Sequence, residues 1–392
     1  MENVRETSFN GNFAIALDGR IDSANAAAVE ESIRCLLQGQ EVTALVLDAQ
    51  NLLYISSAGL RVLLRLMKSG KKLKMVNASP AVYEVLEVTG FSEMMPVEKA
   101  FREVSIEGCE IIGQGSNGIV YRLDPETIVK VYRNADALAE MQREREISRK
   151  AFVLGIPTAI PYDVVRVGEK FGTVFELLNA RSITKRILAE PEKLEELVAI
   201  FVDTLKLIHG TAVKPGQLPD MKAVALDWAD FLQGHIPEEQ QKKLRDMIAA
   251  VPDHGYMLHG DYHSNNVMVQ KGEPLLIDMD TLCVGHPLFE LASTFNAYVG
   301  FGEVDPNVTL RFLKLDVETA HAVWNRFLRL YLNTEDEAVI RCVEEKAMVV
   351  GYTRLLRRTI RREADTDYGK ACIAHYKQRL AELLDRVDTL VF

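Results

Sequence analysis

Between two apolar segments of this chain lies a run that an ordinary hydrophobic core would not tolerate. It reads His259-Gly-Asp-Tyr-His-Ser-Asn-Asn266, preceded by Met257-Leu258 and followed by Val267-Met268-Val269. Burying a polar group without a partner costs about 2–7 kcal/mol, so such a loop persists inside a fold only when its groups are satisfied and have work to do. A further apolar stretch, Pro274-Leu-Leu-Ile277, follows at once and ends on the carboxylate of Asp278. Short strands framing a polar loop are therefore expected here. They cannot account for the whole chain, whose 392 residues are 48% hydrophobic. At about 150 residues per domain, two or three domains are expected.

Other segments combine with that loop. Gly113-Gln-Gly115-Ser-Asn-Gly118-Ile-Val120 is a G-x-G-x-x-G-x-V string, whose glycines let backbone N–H groups approach phosphate oxygens. Ile119-Val120-Tyr121 continues it as a strand, which favours a flap over a nucleotide rather than a dinucleotide-binding turn. Lys130 sits inside the β-rich run Thr127-Ile-Val-Lys-Val-Tyr132, either facing a cleft or on a solvent edge. A carboxylate to hold it is offered by Glu140, Glu144 or Glu146 on a helix spanning about 135–154, with Glu144 the preferred choice. Asp261 and Asn266 are five apart, the spacing of a catalytic-loop Asp and Asn in phosphoryl transfer. A carboxylate there orients or deprotonates an attacking hydroxyl, and an amide oxygen suits a hard Mg²⁺ ion. Asp278 is placed to bind a metal bridging phosphates. His259 and His263 suggest zinc at first sight, but no third ligand lies nearby, and His259 is better read as a brace for the loop.

Taken in order, these motifs make residues 108 to about 300 resemble the aminoglycoside phosphotransferase and choline kinase family, with its two-lobed, protein-kinase-like α+β fold. The helical remainder to Phe392 fits that family's substrate-side lobe. The resemblance implies ATP and Mg²⁺, with Asp261 as catalytic base and Asn266 and Asp278 as metal ligands. Lys130 would hold the ATP phosphates under the Gly113, Gly115 and Gly118 flap, positioned by Glu144. Two departures from protein kinases stand out: Gly260 replaces the arginine of His-Arg-Asp, and Asp278-Met-Asp replaces Asp-Phe-Gly. No Ala-Pro-Glu segment follows, so a small-molecule hydroxyl or amine is the expected acceptor. Asp227-Trp228-Ala-Asp230 offers either an aromatic, acidic face for a cationic acceptor or a packed tryptophan beside solvated acids. Arg354, Arg357, Arg358 and Arg361 form a stripe that reads as an anion site or a solvated basic face.

The first hundred residues alternate strands (Phe13–Leu17, Ala44–Leu47, Leu73–Asn77) with helices (Ala26–Leu37, the stretch after Ser57, Ala81–Thr89), an α/β pattern with a mostly parallel sheet. Asp22-Ser23 is expected to cap the first helix and Ser79-Pro80 to open the third. Within it, Leu47-Asp-Ala-Gln-Asn-Leu-Leu-Tyr-Ile-Ser-Ser57-Ala-Gly-Leu-Arg61 resembles the signature of STAS domains of the anti-sigma-factor antagonist type. That resemblance implies a protein partner and makes Ser57 the serine whose phosphorylation breaks binding. Ser56 stands where the family often has Asp. Ser57 is equally readable as a plain N-cap. The expected domains are 1–103 and 108–392, the latter with lobes at about 108–180 and 181–392. Pro96–Glu107 between them reads as partly helical.

Composition narrows the function. With 46 Lys+Arg against 56 Asp+Glu the formal charge is −10, which argues against nucleic-acid binding while leaving room for ATP and a cationic acceptor. No apolar run approaches the ~18 residues of a spanning helix, and five scattered cysteines suggest reduced thiols. A cytoplasmic phosphotransferase without a membrane partner is expected. The alternative is a partner-switching regulator in which Ser57 is phosphorylated, even by the protein's own kinase-like domain.

Overall fold

The computed structural model describes residues 3–9, 12–38, 43–115, 118–134 and 138–392. Ser116-Asn117 of the glycine string and Ala135–Ala137, at the expected start of the next helix, lie outside the described residues, as does the side chain of Glu140. The chain divides into two units, Met1–Ser105 with Val164–Glu169, and Ile106–Asp163 with Lys170–Phe392. Among the described residues no helix is long and apolar enough to cross a membrane.

The first unit contains β1 (Val4–Phe9), β2 (Asn12–Leu17), β3 (Gly19–Ile21), α1 (Ala26–Leu36), β4 (Ala44–Asp48), β5 (Leu52–Ile55) and α2 (Ser57–Lys68). These are followed by β6 (Lys72–Ala78), α3 (Pro80–Val88), α4 (Phe91–Met94) and β7 (Val97–Lys99). The sheet order is β1-β2-β4-β6-β7, parallel except for the antiparallel β1–β2 pair. Leu45 and Leu47 of β4 are fully buried on one face of the sheet, while Val46 between them is only half-buried on the other. β1 carries no apolar alternation, because as an edge strand it buries little beyond Val4. Pro96–Glu107 is not helical: it supplies β7, which pairs with β6.

Two helix starts differ from the sequence reading. Asp22 does not cap α1; its carboxylate accepts the Ala24 N–H at 2.9 Å, and Asn25 occupies the cap position without a side-chain capping bond. At α2 the cap is Ser56, whose Oγ accepts the N–H groups of Ala58 (3.2 Å) and Gly59 (3.4 Å). Ser57 is the first helical residue and is exposed. Ser79 caps α3 through the Val82 N–H, with Pro80 in the first turn.

In the second unit, strands Ile111–Gln114, Gly118–Arg122, Thr127–Tyr132 and Lys170–Glu176 lie side by side in that order, all antiparallel. The helix Leu138–Val153 follows the third of them. Helices Leu194–His209, Pro287–Tyr298, Val317–Leu332 and Glu337–Glu363 then share one core. Helical spacing in Leu194–His209 buries Leu197, Phe201, Leu205 and Ile208 on one face. Phe201 stacks on Tyr262 with ring centroids 4.5 Å apart, so the polar loop is seated directly on this core.

Candidate active site

Lys130 is where the local chemistry converges. It occupies the middle of the strand Thr127–Tyr132, and its Nζ lies 3.0 Å from Glu144 Oε1 and 2.7 Å from Asp278 Oδ1. Burial alone would favour the neutral amine, but the two carboxylates outweigh it and hold the ammonium above its ordinary range. Glu144 is buried, and its second oxygen accepts the Tyr132 hydroxyl. Glu146 instead forms a surface pair with Lys150 at 2.8 Å, so packing gives the buried position to Glu144, the glutamate the sequence reading prefers. Asp278 leaves the strand Glu273–Leu276 in a left-handed conformation (φ 55°, ψ 60°), which turns its carboxylate toward the lysine. Such a backbone costs a non-glycine residue energy, and its occurrence here fits a functional site.

The glycine string forms the hairpin expected of a flap. Val120 pairs with Gly113 and Ile119 with Gln114, and the Gly115 N–H donates to the Gly118 carbonyl at 3.0 Å. Gly118 has a structural reason to be glycine: a Cβ there would lie 2.5 Å from the Val131 carbonyl oxygen of the neighbouring strand. Gly113, Gly115, Gly118, Lys130, Glu144 and Asp278 all line one cleft of about 310 Å³. Its remaining walls are largely apolar, including Val120, Ala159, Phe175 and Ile277, and Glu176–Leu178 borders it. One cavity thus combines a charged, glycine-bordered end with an apolar slot.

The polar loop is held from below by Glu290. This fully buried carboxylate accepts the N–H groups of His259 and of Gly260, the latter at 3.0 Å. Burial would neutralise it, but His209, His259 and the Gly260 N–H together keep its pKa below the ordinary value. His259 braces the loop through Ile277 O at 3.2 Å, and the Tyr262 hydroxyl donates to Phe201 O at 2.6 Å. Gly260 has φ 82°, and a Cβ there would stand 2.3 Å from the Thr281 carbonyl oxygen. Asp261 lies 3.6 Å from His263 Nε2. Its crowded surroundings oppose charge, yet His263, Arg354 and His259 prevail and bring its carboxyl down to about 2. The Asn266 Nδ2 donates to the Asp261 backbone oxygen at 3.0 Å, which leaves Oδ1 as the free end of that amide.

The donor set suits a hard divalent ion. Asp278 offers carboxylate oxygen and Asn266 an amide oxygen. Near them the Asp280 carboxyl is pushed up to about 6 by burial and by Glu144, Asp278 and Asp261, against the pull of Lys130. This excess of negative charge is what a cation would relieve. Among the described residues, no three His, Cys, Asp or Glu side chains gather as a self-sufficient metal cage. Mg²⁺ commonly needs none, because it shares its shell with phosphates and water.

The sequence reading did not single out Glu290, Tyr132 or Tyr298, whose hydroxyl accepts the Ser264 N–H at 3.0 Å. For Glu290 the signal was present: it is the one charged residue in the helix Pro287–Tyr298. Asp227-Trp228-Ala-Asp230 does not form an open acidic face. Asp227 pairs with Arg357 (2.9 Å) and Asp230 with Arg245 (2.8 Å), while Trp228 is buried beneath the Arg354 guanidinium, 5.5 Å from its ring.

Residues 5–104 match the STAS domain. Over 92 residues the chain is 36% identical to a Bordetella bronchiseptica protein described as an anti-sigma factor antagonist, BtrV, a span of 22% of this chain and 78% of that protein. Among solved structures, ADP-bound aminoglycoside phosphotransferase APH(2'')-Ib is similar at 14% identity and TM-score 0.49, covering 76% of this chain and 98% of its own. A choline/ethanolamine kinase family protein from Mesorhizobium loti gives 16% identity and TM-score 0.45, covering 71% and 92%. Residues 108–324 match the phosphotransferase enzyme family APH, and with more than half its length in that match the chain belongs to this family, carrying a STAS domain ahead of it.

Proposed function

We propose that the second unit transfers the γ-phosphoryl group of ATP to a hydroxyl of a small molecule, and that the STAS domain is its docking or regulatory module. The observation that carries this is Lys130, bridged to both Glu144 and Asp278 in the floor of the glycine-flap cleft. The apolar walls take the adenine, and the flap with Lys130 takes the phosphates. Asp278 and Asn266 would hold Mg²⁺, which when bound neutralises charge on the β- and γ-phosphates. The acceptor oxygen forms its bond to the γ-phosphorus as the bond from that phosphorus to the β–γ bridging oxygen breaks. The hydroxyl proton passes to Asp261 and ADP leaves. With its carboxyl at about 2, Asp261 is ionised at neutral pH but a weak base. It therefore chiefly orients the hydroxyl and takes the proton late, which a loose phosphoryl transition state allows.

Calorimetric titration tests the reading. Asp278→Ala is expected to weaken Mg·ATP binding by about 10–100-fold, the value of one or two charge-assisted contacts. No Mg·ATP binding by the native chain, or binding indifferent to this change, would sink it.

A second reading is favoured by the exposure of Ser57. Because Ser56 holds the cap, the Ser57 hydroxyl is free to be modified without unfolding α2. A phosphate there gains from the helix dipole and adds bulky charge to a docking surface. In this reading the STAS domain switches partners, with the kinase-like unit itself a candidate catalyst of phosphoryl transfer from ATP to the Ser57 hydroxyl. Ser56→Ala is expected to cost about 1 kcal/mol in thermal or urea melts, and Ser57→Asp to cost nothing measurable while abolishing capture of the partner. Capture unaffected by Ser57→Asp refutes the switch, and Ser57 unmodified after incubation with ATP refutes self-phosphorylation.

A further inference from the structure

Adjoining the nucleotide cleft's loop is a second cavity, of about 230 Å³, that has Asp261 in its wall. Ser293, Arg354 and Arg358 supply further polar groups, and Phe301 and Phe312 an apolar side. Arg354 projects from the helix Glu337–Glu363 and is held by two uncharged oxygens, Ser293 Oγ at 2.7 Å and Gly260 O at 3.3 Å. One turn further on, Arg358 is exposed and lies over the Phe301 ring, 5.2 Å from its centroid. Phe301 meets Phe312 edge to face at 5.4 Å. Arg357, between the two arginines in sequence, is neutralised by Asp227 at 2.9 Å. Among the described residues neither Arg354 nor Arg358 has such an ion pair. Packing thus sorts the four arginines of the basic stripe: Arg357 is paired, Arg354 and Arg358 converge on the cavity beside Asp261, and Arg361 is exposed and does not line it.

Among the side chains that line this cavity, two guanidinium groups face one carboxylate, so the lining itself is net positive. A cation would meet repulsion there, whereas a carboxylate or phosphate would meet two planar forks of N–H donors. The acids that would attract a cation, Asp227 and Asp230, are already spent on Arg357 and Arg245. We infer that the acceptor is a small hydroxylated anion, its carboxylate or phosphate held by Arg354 and Arg358 and its hydroxyl presented to Asp261. Phe301 and Phe312 cover the carbon skeleton. This inference rests on the phosphotransferase reading of the site.

The test uses the full chain saturated with the magnesium complex of adenylyl imidodiphosphate, which fills the nucleotide phosphate positions. Thermal melts are recorded with increasing D-glycerate, glycerol 3-phosphate, glycerol, ethanolamine or kanamycin. At least one of the two anions is expected to raise the midpoint saturably, while glycerol, ethanolamine and kanamycin do not. A response to glycerate alone identifies a carboxylate acceptor, and a response to glycerol 3-phosphate alone a phosphate monoester. Arg354→Gln is expected to weaken the apparent affinity about 10–100-fold, and the exposed Arg358→Gln about 3–10-fold. Arg358→Gln touches no buried contact, so it separates loss of binding from loss of folding. Arg354→Lys does not restore affinity, because an ammonium lacks the planar fork. The inference is overturned if neither anion acts, if an amine acts in its place, or if the anion effect survives both Gln substitutions. Failure of the nucleotide analogue itself to bind would instead overturn the phosphotransferase reading.

Discussion

Asp261→Asn is expected to lower kcat by about 10²–10⁴-fold while leaving Mg·ATP affinity within about twofold. The amide has the carboxylate's shape and still faces His263, so the side chain's place is kept. The loop's own bond at this residue, from Asn266 Nδ2, goes to the backbone oxygen, which the substitution does not touch. What disappears is the negative charge that, in the function proposed above, aligns the hydroxyl and finally accepts its proton. Single-turnover transfer and nucleotide binding, measured on the same preparation, separate the two effects. A variant that retains more than about a tenth of native kcat would show that Asp261 does not perform this step.

Glu290→Ala is expected to cost about 3–5 kcal/mol of stability, the range for removing one partner of a buried charged network. The change leaves the His259 and Gly260 N–H groups buried without an acceptor and deprives His209 of its carboxylate, 3.9 Å away. Glu290→Gln preserves one oxygen but turns an amide donor toward these N–H groups, and about 1–3 kcal/mol is expected for it. At roughly 2–4 °C per kcal/mol, the alanine variant should melt on the order of 10 °C lower. Activity should fall further than stability explains, because Asp261 follows directly in the loop. A loss under about 1 kcal/mol would mean that the loop holds its shape without Glu290.

The parts of this molecule legible in the sequence were those whose chemistry is local. The His259–Asn266 loop, the flap glycines and Lys130 stand within a few residues of the strands that carry them, and short apolar, β-rich runs located those strands. Ambiguity persisted wherever a distant partner decides. Glu140, Glu144 and Glu146 share one helix, and although spacing prefers Glu144, it is packing against Lys130 and Tyr132 that gives it the buried position. Arg354 and Arg357 belong to the same stripe, yet one faces Ser293 and the other Asp227, residues far away in the chain. Capping went astray for a related reason: Asp22, Asn25, Ser56 and Ser57 are all good cap residues, and the entry angle of the chain selects among them. β1 escaped notice because a polar edge strand owes its existence to β2 rather than to its own pattern.

Gly260 has a consequence for how this family member can be governed. In protein kinases an arginine at this point reaches a phosphate on the activation loop, tying the catalytic loop to that phosphate. Here any side chain at all would collide with the Thr281 carbonyl while also adopting a left-handed backbone. The geometry thus closes a mutational route: no single codon change can graft that lever onto this loop.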